Sequence, residues 1–176
     1  MIVKYKYIII GNILLYLSIV LCFQMAMASE RAKVVLPEAT FPSFECVVDA
    51  ARTSGIPLAA LVGLLATEGG QPGEALGNTN GTWDLGPFQI NTCHVNELVT
   101  MGIAPEAVLQ SGCVGAYAAA WLLRKEYNRT GDIWEAVGAY HSRTLKRRDA
   151  YIAKVKENLL LLQQQGVFIL PLEVAR

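Results

Sequence analysis

Residues 71–87 constrain the architecture more tightly than any other stretch. Six of these 17 positions are glycine or proline: Pro72, Gly73, Gly77, Gly81, Gly86 and Pro87. That density forbids a helix, and Asn80-Gly81 within it is a hairpin signal, so the segment reads as a β-hairpin or irregular loop. Both flanks have the helical period instead. Ser43 caps a helix through Arg52 that stops at Ser54-Gly55, and Pro57 opens a second with Leu58, Leu61, Val62, Leu64 and Leu65 in phase. Gly69-Gly70 ends it. A short helix is expected over Thr92–Thr100 and a further turn at Ala104-Pro105-Glu106. A long helix follows from Cys113 to Tyr127, rich in close-packing alanines and ended by Gly131. Asp132 caps a helix through Ala139, and a last one spans Arg148–Gln165. The chain is therefore expected to be mainly α with one small β region.

The N-terminus reads as an export address. Lys4 and Lys6 precede an apolar run from Ile8 to Phe23, and Ala26-Met27-Ala28 has the small-residue spacing of a signal peptidase site. Cleavage is expected after Ala28; an uncleaved inner-membrane anchor is the alternative. The division is signal peptide 1–28, linker 29–42, one folded domain 43–165 and tail 166–176. Lys+Arg 15 balances Asp+Glu 15 over 176 residues, and losing Lys4 and Lys6 leaves 13 against 15, net −2. A balance of that kind sets nucleic acid aside as a partner. Cys46, Cys93 and Cys113 remain in the exported chain, where one pair is expected to be oxidised and one thiol left over. The histidines are two, His94 and His141, and no Cys-x-x-Cys occurs, so no metal site or cofactor is expected. Cys93 and His94 are neighbours in sequence, which does not make them a nucleophile and its base.

Glu68 stands out chemically. It falls in the last turn of the second helix, on the face of Leu61, Leu64 and Leu65. Desolvation and the negative end of the helix dipole both disfavour the anion, and a carboxyl kept protonated suits a general acid. Periodicity alone leaves open a glutamate pointing into solvent at a frayed helix end.

Three motifs in order resemble the lytic transglycosylase family with an SLT-type, goose-lysozyme-like domain. The family's Glu-Ser-Gly helix end reads Glu68-Gly69-Gly70 here. Its Gly-x-Met-Gln-Ile-Asn reads Gly86-Pro87-Phe88-Gln89-Ile90-Asn91, preceded by Trp83-Asp84-Leu85. Its Ala-Tyr-Asn reads Ala139-Tyr140-His141 after Trp134-Glu135-Ala136-Val137-Gly138. The resemblance covers about Phe44 to Val155. It implies a lysozyme-like α+β fold, mainly α, with the small β-hairpin region beside the catalytic helix. Gly69 replaces a serine, His141 an asparagine, and Gly115 stands where relatives often have asparagine.

The resemblance also implies a mechanism. Ordinary glycosidases use two carboxyl groups. Here Glu68 alone would protonate the oxygen between N-acetylmuramic acid and N-acetylglucosamine, then help the muramyl C6 hydroxyl attack C1, giving a 1,6-anhydro sugar. Tyr140 is expected to hydrogen-bond Glu68. Gln89 and Asn91 are expected to bind sugar or fix the loop; Trp83 and Phe88 are candidates to stack on sugar faces, with packing into the core as the alternative. Gly69 and His141 border the substrate. Asp84 as a second carboxylate would instead make a hydrolytic muramidase, and the Gly69 and His141 departures raise a third reading, a glycan-binding scaffold that has lost turnover. Similar small transglycosylases carry cysteines at positions 46 and 113, which implies a Cys46–Cys113 disulfide with Cys93 free; Cys93–Cys113 is the rival pairing. The implied setting is a periplasmic monomer acting on peptidoglycan strands, with components of an envelope-spanning secretion, conjugation or pilus machine as further partners.

Overall fold

The computed structural model describes residues 38–167. The signal-peptide or anchor reading, most of the expected linker and nearly all of the tail lie outside them. Seven helices and one small sheet are described: α1 (Phe44–Ser54), α2 (Leu58–Glu68), α3 (Val95–Thr100), α4 (Pro105–Gln110), α5 (Gly112–Thr130), α6 (Ile133–His141) and α7 (Leu145–Gln164). The sheet is β1 (Ala75–Gly77), β2 (Trp83–Leu85) and β3 (Ile90–Asn91), antiparallel in that order. This is the mainly α, lysozyme-like arrangement that the motifs imply.

The helix ends follow the sequence signals. Ser43 accepts from the Cys46 backbone N–H, and Gly55 closes α1 in the left-handed conformation. Asp132 accepts from Trp134 and Glu135 at the start of α6. Several boundaries lie further out than periodicity suggested. α5 runs on to Thr130, α6 to His141, and α7 begins at Leu145 rather than Arg148. The turn at Pro105 is a full short helix, and Ile90-Asn91 pairs with β2 as a third strand. Thr40, within the segment read as linker, makes a parallel bridge to Ser111, with its N–H donating to the Gln110 carbonyl at 2.9 Å.

The alanine-rich α5 is the centre of the core. Ala116, Ala118, Ala119, Ala120 and Leu123 are fully buried there, and α1, α2, α4 and α6 pack around it. Cys46 and Cys113 are disulfide-bonded with Cα atoms 5.5 Å apart, and Cys93 is free. The bond joins α1 to the start of α5. One turn further along both helices, Asp49 accepts from the Tyr117 hydroxyl and pairs with Arg52, so the two helices are held at two adjacent levels.

Small residues decide how α7 closes the domain. A Cβ on Gly63 of α2 would meet Val155 at 2.6 Å, and one on Gly138 of α6 would meet Arg148 at 2.4 Å. Glycine at both positions lets α7 lie directly against α2 and α6. The buried stripe Tyr151, Val155, Leu159 of α7 then faces α2 at helical spacing.

The turn between α6 and α7 is pinned by a buried acid. Glu126 on α5 is only 8% exposed and pairs with Arg129 at 2.8 Å and Arg143 at 2.6 Å. Burial alone would raise this carboxyl, but the two guanidiniums outweigh it and hold it below its ordinary value. Its contribution to stability is therefore present above the unfolded-state value and lost as pH falls through the folded one. Glu126→Gln is expected to destabilise by about 2 kcal/mol at neutral pH, less than for fully buried pairs because both arginines reach water. Urea unfolding of wild type and variant at neutral pH and near pH 3 checks this: the difference should shrink in acid.

Candidate active site

Glu68 is the last residue of α2, and Gly69 ends the helix directly behind it in the left-handed conformation, φ 60°. Gly70 is required by close approach. A Cβ there would lie 2.1 Å from the Gly86 carbonyl oxygen and 2.4 Å from Gln89 Nε2. With none, the Gly70 N–H donates to the Pro87 carbonyl at 3.3 Å, and the Gly86–Asn91 segment closes against the end of α2. The two glycines thus bring the first two sequence motifs together.

A cleft of about 960 Å³ runs past this junction. Glu68, Asp84, Gln89, Asn91, Tyr140 and His141 all line it. Three expected site residues do not. Phe88 is 0% exposed and belongs to the core, packed beneath the sheet beside Gly115, so it cannot stack on a sugar. Trp83 lies outside the cleft lining, on β2, half exposed and with its ring over Gly77. Gly69 is exposed, and no atom lies within 4 Å of where its Cβ would stand.

The tyrosine beside Glu68 is not the expected one. The Tyr140 hydroxyl donates to the Phe88 carbonyl at 2.9 Å, tying α6 to the loop. The Tyr151 hydroxyl donates to Glu68 Oε1 at 2.5 Å. Tyr140 still stands close enough for the Glu68 charge to contribute, after burial, to the upward push on its phenol. Tyr151 comes from α7, 83 residues away, and no motif marks it. The available sign was its place at the head of the apolar stripe Tyr151, Val155, Leu159, where a hydroxyl must find a partner. Asn158 of α7 also donates to Thr67 Oγ1 at 2.9 Å, fixing the same helix end.

Burial raises the Glu68 carboxyl above its ordinary value. The Tyr151 hydrogen bond pulls it down, the Asp84 charge pushes it further up, and Lys154 opposes weakly. His141 stacks on the Tyr151 ring, centroids 4.7 Å apart and planes 3° from parallel. Burial, then Arg147 and Lys154, lower the His141 imidazole, so it is neutral at neutral pH.

The remaining carboxylates of the cleft are committed. Asp84 Oδ2 accepts from Asn78 Nδ2 at 2.9 Å and Oδ1 from Asn91 Nδ2 at 2.7 Å. Asn91 also donates to Thr82 and accepts from the Cys93 N–H, so all its polar atoms serve the loop. Glu97 pairs with Lys125 at 2.5 Å, and Glu126 with its two arginines. Gln89 is the single non-glycine residue with positive φ, 48°, among those described, and its Nε2 donates to the Gly86 carbonyl at 2.9 Å. A side chain held in that conformation costs about 1–3 kcal/mol, a kind of strain concentrated at functional sites. Burial, Asp84 and Glu97 push the Cys93 thiol up, and burial lowers His94, so these neighbours form no thiolate–imidazolium pair. Among the described residues no cluster of three or more His, Cys, Asp or Glu side chains is placed to hold a metal ion. Nor is any helix among the described residues long and apolar enough to cross a membrane.

Invasion protein IagB of Salmonella typhi is 32% identical over 127 residues, 69% of this chain and 79% of the relative. Protein IpgF of Shigella flexneri is 32% identical over 116 residues, 65% of this chain and 76% of the relative. X polypeptide of Escherichia coli is 37% identical over 76 residues, 40% and 45% of the two chains. The transglycosylase SLT domain model matches residues 45–158, from the first turn of α1 to the last third of α7, and takes in Glu68, the loop and Tyr151. With most of the chain and the whole cleft inside that match, the protein belongs to the transglycosylase SLT family.

Proposed function

We propose that this protein is a peptidoglycan lytic transglycosylase that works with one carboxyl group. The observation that carries this reading is the inequality among the four acids lining the cleft. Asp84 is bonded through both oxygens by amides, and Glu97 and Glu126 are ion-paired. Glu68 alone is left with a tyrosine hydroxyl and a raised proton affinity. Such a group donates a proton to the glycosidic oxygen between N-acetylmuramic acid and N-acetylglucosamine. As the C1–O bond breaks, the 2-acetamido group of the muramyl unit stabilises the positive charge at C1. The Glu68 carboxylate then takes the proton of the C6 hydroxyl, whose oxygen bonds to C1. The product is a 1,6-anhydro sugar, the proton returns to Glu68, and no water is consumed.

The other residues position this step. Tyr151 orients the Glu68 carboxyl, His141 orients Tyr151 by stacking, and Tyr140 holds the loop that carries Gln89. Trp83 offers an exposed ring on which a sugar farther along the strand stacks. The expected export of the chain and the name of the relative called an invasion protein support a role in the cell envelope, opening the wall for a secretion, conjugation or pilus machine. A zymogram on purified cell wall tests the enzymatic reading: a cleared band is expected, and its absence from correctly folded protein would favour a scaffold.

Tyr151→Phe is expected to fold and to lose about 10- to 100-fold in kcat, the worth of one hydrogen bond to a charged or charging group at about 1.5–3 kcal/mol. That bond lowers the Glu68 value in the native protein, so its loss moves the alkaline limb of the pH–rate profile upward. An unchanged limb would leave Tyr151 a packing residue.

A further inference from the structure

We propose that Arg147 binds a carboxylate carried on the muramyl side arm of the glycan strand, so that the cleft selects strands whose side arms are charged. The inference rests on the transglycosylase reading above and adds to it a determinant of substrate choice.

Three permanent cations line the cleft: Lys125, Arg143 and Arg147. Lys125 is neutralised by Glu97 at 2.5 Å and Arg143 by Glu126 at 2.6 Å. Arg147 has no ion pair and no side-chain hydrogen bond among the described residues. It is exposed on the cleft wall, where a ligand can reach it. Arg147 lies in the first turn of α7, which has no acid to offset it, and the positive end of the helix dipole repels it. Its neighbour Arg148 reaches Glu135 at 3.6 Å and Asp149 at 2.9 Å. Lys146 in the same turn is also without an ion pair among the described residues but does not line the cleft, so Arg147 is the unpaired cation that an anion arriving with the substrate would meet.

The position fits the reacting end of the cleft. Arg147 precedes Tyr151 by one helical turn, on the same face of α7. Tyr151 bonds Glu68, and His141, stacked on Tyr151, feels the Arg147 charge. The muramyl unit at the scissile bond carries a lactyl arm, normally amide-linked to a short peptide with free carboxylates. The planar guanidinium matches a carboxylate in a two-point geometry that an amide lacks. The peptide carboxylate is the ligand on intact strands; on strands stripped of peptide the lactyl carboxylate offers the same chemistry.

The test measures KM at low ionic strength on intact strands, on the same strands with side-arm carboxylates amidated, and on strands stripped by an amidase. Wild type is expected to show a KM about 2- to 5-fold lower on intact than on amidated strands, the range of an exposed ion pair, fading with added salt. That ratio should collapse towards one in Arg147→Gln and be partly kept in Arg147→Lys. It should persist in Lys156→Gln, whose ammonium lies over the Trp134 ring. An Arg147-dependent preference for intact strands alone assigns the peptide carboxylate; the same preference for stripped strands adds the lactyl carboxylate. Equal KM on charged and amidated strands, or a ratio that survives Arg147→Gln, overturns the inference while leaving the transglycosylase reading intact. No cleavage of any strand by wild type overturns both.

Discussion

Glu68→Gln is expected to fold normally and to cut peptidoglycan at least about 10³-fold more slowly than wild type. The amide matches the carboxyl in size but delivers no proton, and a positioned acid–base contributes about 10²–10⁴-fold. On the one-carboxyl reading a single group serves as both acid and base, which places the loss at the upper end of that range. The sign of the stability effect separates this from damage to the fold. The Glu68 carboxyl is raised in the folded state, so its favourable share of stability is complete below the unfolded-state value and is lost as pH rises through the folded one. At neutral pH the glutamine variant should therefore be at least as stable as wild type in thermal unfolding. An inactive variant that melts well below wild type would point to structural damage, and undiminished wall clearing would remove Glu68 from the chemistry.

Replacing both Cys46 and Cys113 by serine is expected to give the largest loss of stability. The bond closes a loop with a sequence separation of 67, worth about 4 kcal/mol in the chain-entropy model. For a domain of this size that corresponds to a fall in Tm of roughly 10–15 °C. Cys93→Ser should leave Tm unchanged, since that thiol is free and exposed. Under reducing conditions the wild-type Tm should drop towards that of the double variant. A non-reducing peptide map should yield a crosslinked Cys46–Cys113 peptide. Coincident melting curves without reductant, or a crosslink through Cys93, would contradict the pairing.

The parts of this molecule legible in the sequence are those set by local chemistry. Ser43, Gly55, Gly131 and Asp132 mark helix ends because capping is decided within a turn of chain. Asn80-Gly81 marks the hairpin because φ is positive at Gly81, 82°. Glu68 was legible through the apolar face it interrupts. What the sequence left hidden depends on distant closure. Tyr151 reaches Glu68 because Gly63 and Gly138 let α7 settle onto α2 and α6, and no local pattern announces that contact. The resemblance pointed to Tyr140, which instead bonds the Phe88 carbonyl. Phe88 was misread for the same reason. In a polar loop it looks like a sugar-stacking ring, but the loop folds over α5 and drives that ring into the core, where burying it is favourable by about 3 kcal/mol. Asp84, the alternative second carboxylate, has both oxygens bonded by Asn78 and Asn91, an arrangement that depends on how the hairpin closes and not on any local pattern.

The nature of the newly cut end tests the one-carboxyl account most directly. Purified peptidoglycan is digested with the wild-type protein, and the fragments are treated with borohydride and weighed. The account predicts muramyl ends one water lighter than hydrolytic ones and resistant to reduction, because C1 is bonded to the unit's own C6 oxygen. New muramyl ends that reduce in proportion to the bonds cut would mean that water attacked C1. That result would give Asp84 or another group the part of the base and contradict the account.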